Sequence, residues 1–202
     1  CPDMKAMILA AGFGTRLFPL TIDRTKPAIP FLGKPLVGYV AEYLARYGIT
    51  ETVVNLHHQP DSVIEALGDG SDFGVHIDYT REVPKILGTA GALDNAREYL
   101  ENDTFLIVNG KIITDIDIGA ALETHRSSGA IATMVLKPNV KRERFTIVET
   151  SDGVVTGFGD FARPFTEEEI RDVEHEPYSP PMFTGIHIME PRVFDYIPRG
   201  VY

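Results

Sequence analysis

The apolar positions along the chain fall into two alternating rhythms. "KAMILAA", Lys5 to Ala11, is a nearly unbroken apolar run of the kind a strand buried on both faces requires. "LVGYVAEYLARYG" then places Leu36, Val40, Tyr43, Leu44 and Tyr47 at helical spacing, and Gly48 suits a left-handed stop. "TVVNLHH", residues 52–58, is rich in strand formers and free of breakers. In "DSVIEALG", Ser62 stands three residues before Glu65, which predicts a capping box and a short helix. The rhythm continues with a strand in "VHIDYTRE", a helix in "AGALDNAREYL" and a strand in "TFLIVNG". An amphipathic helix in "DIGAALETHRSSG" follows, ending near Gly129, and a strand in "AIATMVLKP" closes at Pro138.

Strands alternating with helices in this way predict an α/β fold. Its core is an open, mostly parallel, Rossmann-like sheet with helices on both faces. Past Pro138 the pattern changes. "FTIVETSDGVVTGFG" predicts a late β-hairpin turning at Asp152-Gly153. "MFTGIHIME" is one more strand, and "PRVFDYI" opens a helix with Pro191 in its first turn. Residues 160–181 are acidic and proline-bearing, and read as an excursion or lid. No repeat or linker interrupts the pattern, so residues 1–202 are read as a single domain.

Charge and composition then exclude several classes. The 29 acidic residues outnumber the 19 basic ones for a net charge of −10, which argues against nucleic acid as a partner. No apolar run approaches the ~20 residues of a membrane span, so no membrane partner is expected. The single cysteine, Cys1, allows no internal disulfide and fits a reducing compartment, so the cytoplasm is expected. An anionic ligand would have to meet a local cluster of cations. Arg16, Arg24 and Lys26 are the first such cluster.

That cluster follows a glycine loop, Gly12 and Gly14, at the end of the first strand. Ligands of open α/β sheets sit at the carboxyl ends of strands. Bare glycines there permit close approach and expose N–H groups to phosphate oxygens. Arg16 can clamp phosphate bidentately, and Lys26 adds a compact point charge. A dinucleotide fingerprint fails at Leu17, where the third glycine belongs. A Walker loop fails in "PAIPFLGKP", at Ala28 and at Pro35. The bland alternative is a tight turn with incidental surface cations. His57 and His58 are adjacent in a predicted strand, so their side chains should point to opposite faces, which argues against a zinc pair.

The longer string "LAAGFGTRLFPLTIDRTKP" closely resembles the signature of the sugar nucleotidyltransferases, L-A-A-G-x-G-T-R-L-x-P-L-T-x-x-x-P-K-P, with Thr25 as the clear departure. The resemblance continues through "VNLHHQPDSVIEAL", "LGTAGAL", "FLIVNG", "DGVVTGFG" and "FTGIHIMEP", in family order and over essentially the whole chain. It implies transfer of a nucleotidyl group from an NTP to a sugar-1-phosphate, giving an NDP-sugar and pyrophosphate. The flavour of "FLGKPLVGYV" leans toward mannose-1-phosphate guanylyltransferases. The implied partners are the NTP and the sugar-1-phosphate, with Mg2+ as cofactor alongside the NTP; a homo-oligomer is left open.

The resemblance also implies roles. Arg16 would stabilise the leaving pyrophosphate, and Lys26 would bridge toward the reacting phosphates. Leu9, Ala11, Gly12, Gly14 and Thr15 would line the nucleotide. Gly88 and Thr89 of "GTAG" would approach base and ribose, although Thr89 also reads simply as a helix cap. Gln59 would contact the base. Thr184 and Gly185 fall where the family's sugar contacts run, and Glu176 would accept from a sugar hydroxyl.

The chain also departs from the family pattern. Lys111 stands in "NGKIITDID" where the family places its metal-binding aspartate. Three outcomes stay open: Lys111 takes over part of the metal's role, Asp115 or Asp117 reaches a displaced magnesium, or the site is dead. A non-catalytic nucleotide- or NDP-sugar-binding subunit of the same fold is the alternative reading. The family's E-K-P lysine is absent from "GDFARP", where Arg163 would supply the cation for the sugar phosphate. Thr146 replaces a glycine common after the aromatic in "RERFTIV". The sequence ends at Tyr202, before the family's W-x-D-x-G-T segment, so the last part of the family fold is expected to be missing.

Overall fold

The structure, a computed structural model, describes residues 4–164, 166–167 and 179–200, the side chain of Arg16 excepted. The chain divides into two compact units, residues 1–133 with 187–202, and residues 134–186.

The first unit is the doubly wound part. Strand β1 (Lys5–Leu9) is buried through its centre and pairs in parallel with two strands. On one side lies β4 (Glu51–Leu56), itself parallel to β5 (His76–Arg81); on the other lies β6 (Phe105–Asn109). The sheet thus runs β5-β4-β1-β6. A small hairpin, β2 (Pro30–Phe31) and β3 (Lys34–Pro35), turns through Leu32 and Gly33, both at positive φ. It precedes helix α1 (Leu36–Arg46).

Helices cover both faces, as alternation along β1 requires. Met7 packs with Ala92, Leu93 and Ala96 around helix α3 (Gly88–Asn95) and with Leu100 of α4 (Arg97–Leu100). Its neighbour Ile8 points the other way, toward α1. A methyl group placed on Gly110 would lie 3.0 Å from Ile8 Cγ2 and 3.5 Å from Val37 Cγ2. Helix α5 (Ile118–Ser128) is capped by Asp117, whose carboxylate accepts from Ala120 N–H at 3.2 Å. Its buried His125 shares the Glu190 carboxylate with the Thr104 hydroxyl, at 2.9 and 2.8 Å, tying the final segment to the unit.

The second unit is antiparallel. Strand β7 (Ala132–Pro138) leads into it, β8 (Thr146–Ser151) and β9 (Val154–Phe161) form the hairpin, and β10 (Pro181–Met189) leads back out. β10 pairs antiparallel with β8 and is also paired by β7. The hairpin turns at Asp152 and Gly153, with φ of 50° and 78°, the geometry an Asp-Gly pair adopts readily.

Several sequence expectations shift by local chemistry. Helix α2 (Pro60–Leu67) starts before Ser62, because Pro60 occupies its first turn and Gln59 is the N-cap. Ser62 therefore makes no capping box; its hydroxyl donates back to Gln59 O at 2.7 Å. The helix expected over 90–100 begins at Gly88 and breaks at Ala96 into α3 and α4. The last helix is a 3-10 helix, Pro191–Tyr196. Of the excursion at 160–181, residues 165 and 168–178 lie outside the described residues.

Candidate active site

Because β1, β4, β5 and β6 are parallel, their carboxyl ends share one edge of the sheet. The connection from β1 leads to β4 on one side, and the chain later returns to β6 on the other. The strand order reverses at β1, so the switch point, where open α/β sheets bind ligands, lies outside its carboxyl end. The glycine loop fills that place. Leu9 ends the strand, Ala10 and Ala11 are buried, and Gly12 is exposed. A methyl group on Gly12 would meet nothing within 4 Å, so a ligand can approach its backbone directly.

Gly14 adopts φ +63°, which a side chain would strain, and opens the 3-10 turn Thr15–Leu17. The turn is closed by Leu17 N–H on Gly14 O at 3.0 Å, with the Thr21 hydroxyl on the same oxygen at 3.2 Å. A methyl group on Gly14 would lie 3.4 Å from Lys26 Cβ. The fold therefore brings Lys26 against the loop. Thr25 is fixed just before it by its own N–H on the Ser62 hydroxyl at 3.2 Å. Arg16 contributes its backbone to the turn, and its side chain falls outside what is described. Arg24 is paired in fork geometry with Asp23, at 2.9 and 2.8 Å, so its charge is already matched.

On the far side of β1, Gly110 N–H donates to Leu9 O at 3.0 Å. Exposed Lys111 follows directly, just past the carboxyl end of β6. Asp115 and Asp117 are exposed, and Asp117 is occupied as the α5 cap. Among the described residues no three His, Cys, Asp or Glu side chains converge where they could hold a metal.

Beyond β4, His57 and His58 do not point to opposite faces. β4 ends at Leu56, so strand alternation does not govern them. Both rings lie against Phe13 of the glycine loop, at centroid distances of 5.5 and 5.4 Å. Gln59 sits at φ 46°, and its amide donates to Ile22 O at 3.3 Å. Gly88 and Thr89 are exposed in the first turn of α3, whose N-cap is Leu87, so Thr89 is not the cap. Arg163, Thr184 and Gly185 belong to the second unit. There the Thr184 hydroxyl donates to Val135 O at 2.7 Å, and Gly185 has φ 94°. Glu176 lies outside the described residues.

Two residues absent from the sequence expectations join these elements. Asn55 accepts from Ala10 N–H at 2.8 Å and donates to Glu82 at 2.6 Å. The other Glu82 carboxylate oxygen accepts from Leu87 N–H at 2.7 Å. The available signal was an asparagine inside an apolar strand, and a glutamate just beyond the next one.

The fold and loop define a class: a doubly wound α/β protein with a glycine loop at its switch point. The narrower assignment comes from relatives. Residues 5–199 match the family model described as nucleotidyl transferase, and the chain belongs to that family. It is 38% identical over 210 residues to a UTP–glucose-1-phosphate uridylyltransferase of Synechocystis sp., aligning 98% of this chain with 52% of the relative. A mannose-1-phosphate guanylyltransferase of Mycobacterium tuberculosis is 33% identical over 200 residues, with the same coverage of 98% and 52%. The fold matches that of HddC from Yersinia pseudotuberculosis complexed with GMP-PN, at TM-score 0.78 and 22% identity, covering 98% of this chain and 82% of that one. The chain spans about half the length of the curated relatives it matches. No described helix is long and apolar enough to cross a membrane.

Proposed function

We propose that this chain carries the nucleotide site of a sugar-1-phosphate nucleotidyltransferase acting in the cytoplasm. The observation that carries the reading is the switch-point loop. An open glycine at position 12, a left-handed Gly14 and Lys26 packed against it make a cradle suited to a triphosphate. In the reaction, an oxygen of the sugar phosphate attacks the α-phosphorus, and the bond to the α–β bridging oxygen breaks. Pyrophosphate leaves with that electron pair. Positioning and charge neutralisation are what the protein must supply.

Leu9, Ala11, Gly12, Gly14 and Thr15 offer backbone to the nucleotide, and Arg16 and Lys26 neutralise its phosphates. Gly88 and Thr89 offer the amide-rich start of α3. A base contact by Gln59 requires its amide to leave Ile22. Magnesium enters with the substrate, as Mg–NTP, an ion that keeps several waters and is held largely by the substrate phosphates. Lys111, just past the end of β6, is assigned as a further cation for the phosphates. Arg163, Thr184 and Gly185 are assigned to the sugar phosphate.

The test is pyrophosphate release from UTP or GTP with magnesium, against glucose-, mannose- and N-acetylhexosamine-1-phosphates. Release with one pair, reduced about 10²–10³-fold by Lys111→Ala, is the expected result. Lys111 itself favours a second reading, a binding subunit without turnover. Nucleotide binding without release in the wild type, together with release in Lys111→Asp, would establish that reading instead.

A further inference from the structure

Glu82 poses a problem of its own. Its side chain is 1% exposed, and burying a carboxylate is costly unless every lone pair it turns inward is used. Both oxygens are used, each by a neutral N–H: the Asn55 amide at 2.6 Å and the Leu87 backbone at 2.7 Å. Two donors facing one side chain from opposite ends require an acceptor at both ends. Only a carboxylate offers that; a glutamine would bring a donor to one end. Asn55, 3% exposed, completes the chain by accepting from Ala10 N–H with its remaining oxygen. The main chain of residue 82 makes a further tie, because its carbonyl accepts from His57 Nδ1 at 2.7 Å. That bond fixes the proton on Nδ1 and sets the ring that packs against Phe13.

The two ends of this relay are not arbitrary. Ala10 is where β1 gives way to the glycine loop. Leu87 is the N-cap of α3, whose first turn presents Gly88 and Thr89. Diverting Ala10 N–H to a side chain fixes where the sheet stops and the loop begins.

We propose that Glu82 and Asn55 are positioning residues of the nucleotide site, a buried relay that holds the glycine loop and the N-terminus of α3 at one fixed separation. This rests on the nucleotidyl-transfer reading. Neither residue touches the ligand; both act through backbone that does.

The test compares wild type, Glu82→Gln, Asn55→Asp and the double variant, using UTP and GTP with magnesium as probes. Glu82→Gln sets an NH2 against a donor, and Asn55→Asp sets two carboxylates against each other. Each single change should weaken nucleotide binding roughly ten- to a hundred-fold, raising KM for the triphosphate and leaving KM for the sugar-1-phosphate in place. Amide exchange at Ala10 and Leu87 should accelerate in the same variants. The double variant restores every donor–acceptor pair, because the introduced carboxylate accepts from Ala10 N–H and from the new amide, whose oxygen accepts from Leu87. Its affinity should return to within about threefold of wild type, since no pairing is then lost. Should Glu82→Gln fail to fold, the double variant alone decides. A folded double variant binding as weakly as Asn55→Asp overturns the proposal, and so does wild-type affinity in Glu82→Gln. A wild type that binds neither nucleotide overturns the functional reading itself, a different failure read in a different sample.

Discussion

Replacing Gly110 and Gly12 by alanine separates what the switch point needs for folding from what it needs for its ligand. At Gly110 the new methyl would lie 3.0 Å from Ile8 Cγ2 and 3.1 Å from Leu9 O. Neither neighbour has room to retreat. Ile8 is fully buried, and Leu9 O is already the acceptor for Gly110 N–H. Overpacking of this kind costs about 1–3 kcal/mol. For a chain of this size each kcal/mol moves Tm by about 2–4 °C, so a fall of about 2–12 °C is expected. At Gly12 the methyl meets nothing within 4 Å and the backbone is not left-handed, so Tm should stay at the wild-type value. The same methyl stands where phosphate oxygens would approach, and losing a charge-assisted contact there costs about 1.5–3 kcal/mol. Differential scanning calorimetry without ligand, followed by titration with UTP and GTP, reads both quantities. Wild-type nucleotide affinity in Gly12→Ala would refute close approach to the loop. An unchanged Tm in Gly110→Ala would refute the packing of the β6 end against β1.

Other outcomes follow from single groups. Lys26→Ala should weaken triphosphate binding roughly ten- to a hundred-fold with Tm unchanged, as titration calorimetry can check. Burial pushes the His187 imidazole down to about 4, so the folded state keeps it neutral while the unfolded chain protonates near its ordinary value. Its contribution is full above about pH 6.5 and is lost as pH falls toward 4, a change of about 3 kcal/mol; urea unfolding across that window should lose this slope in His187→Gln. Burial alone would raise the Glu190 carboxyl, but the Thr104 hydroxyl and the His125 ring outweigh it and hold the group below its usual value of 4.5. The resulting stability is present above that value and lost on further acidification, and Glu190→Gln should remove the loss in the same unfolding series.

What the sequence made legible was whatever depends on neighbours in sequence. The apolar runs located the strands, the Asp-Gly pair located the hairpin turn, and the glycine loop stood out because its signature is contiguous. The misplacements came where a distant group intervened. β1 stops at Leu9, not Ala11, since Ala10 N–H is taken by Asn55 from another strand. The two histidines share a face because the strand had already ended and Phe13 offered both of them a surface. The Asn55–Glu82 bond spans 27 positions, and no periodicity carries information across that distance. Glu82 looked like the polar end of a strand; only the fold makes it a buried acceptor.

The net charge of −10 would by itself turn an anion away, and the geometry explains why it does not decide the matter. Exposed charges are screened over about 8 Å at physiological ionic strength, so a ligand at the switch point responds to the groups around the loop and not to the whole surface. Locally the balance differs from the sequence cluster. Arg24 is cancelled by Asp23, so it drops out. Lys26 is held beside Gly14 by the fold of the loop. Lys111, remote in sequence, follows β6, the neighbour of β1 on the opposite side from β4. The start of α3 adds oriented N–H groups, which attract an anion with no net charge of their own. On the proposed function, the groups an anionic ligand meets are set by topology, through which strand ends meet at β1, and not by the net charge of the chain.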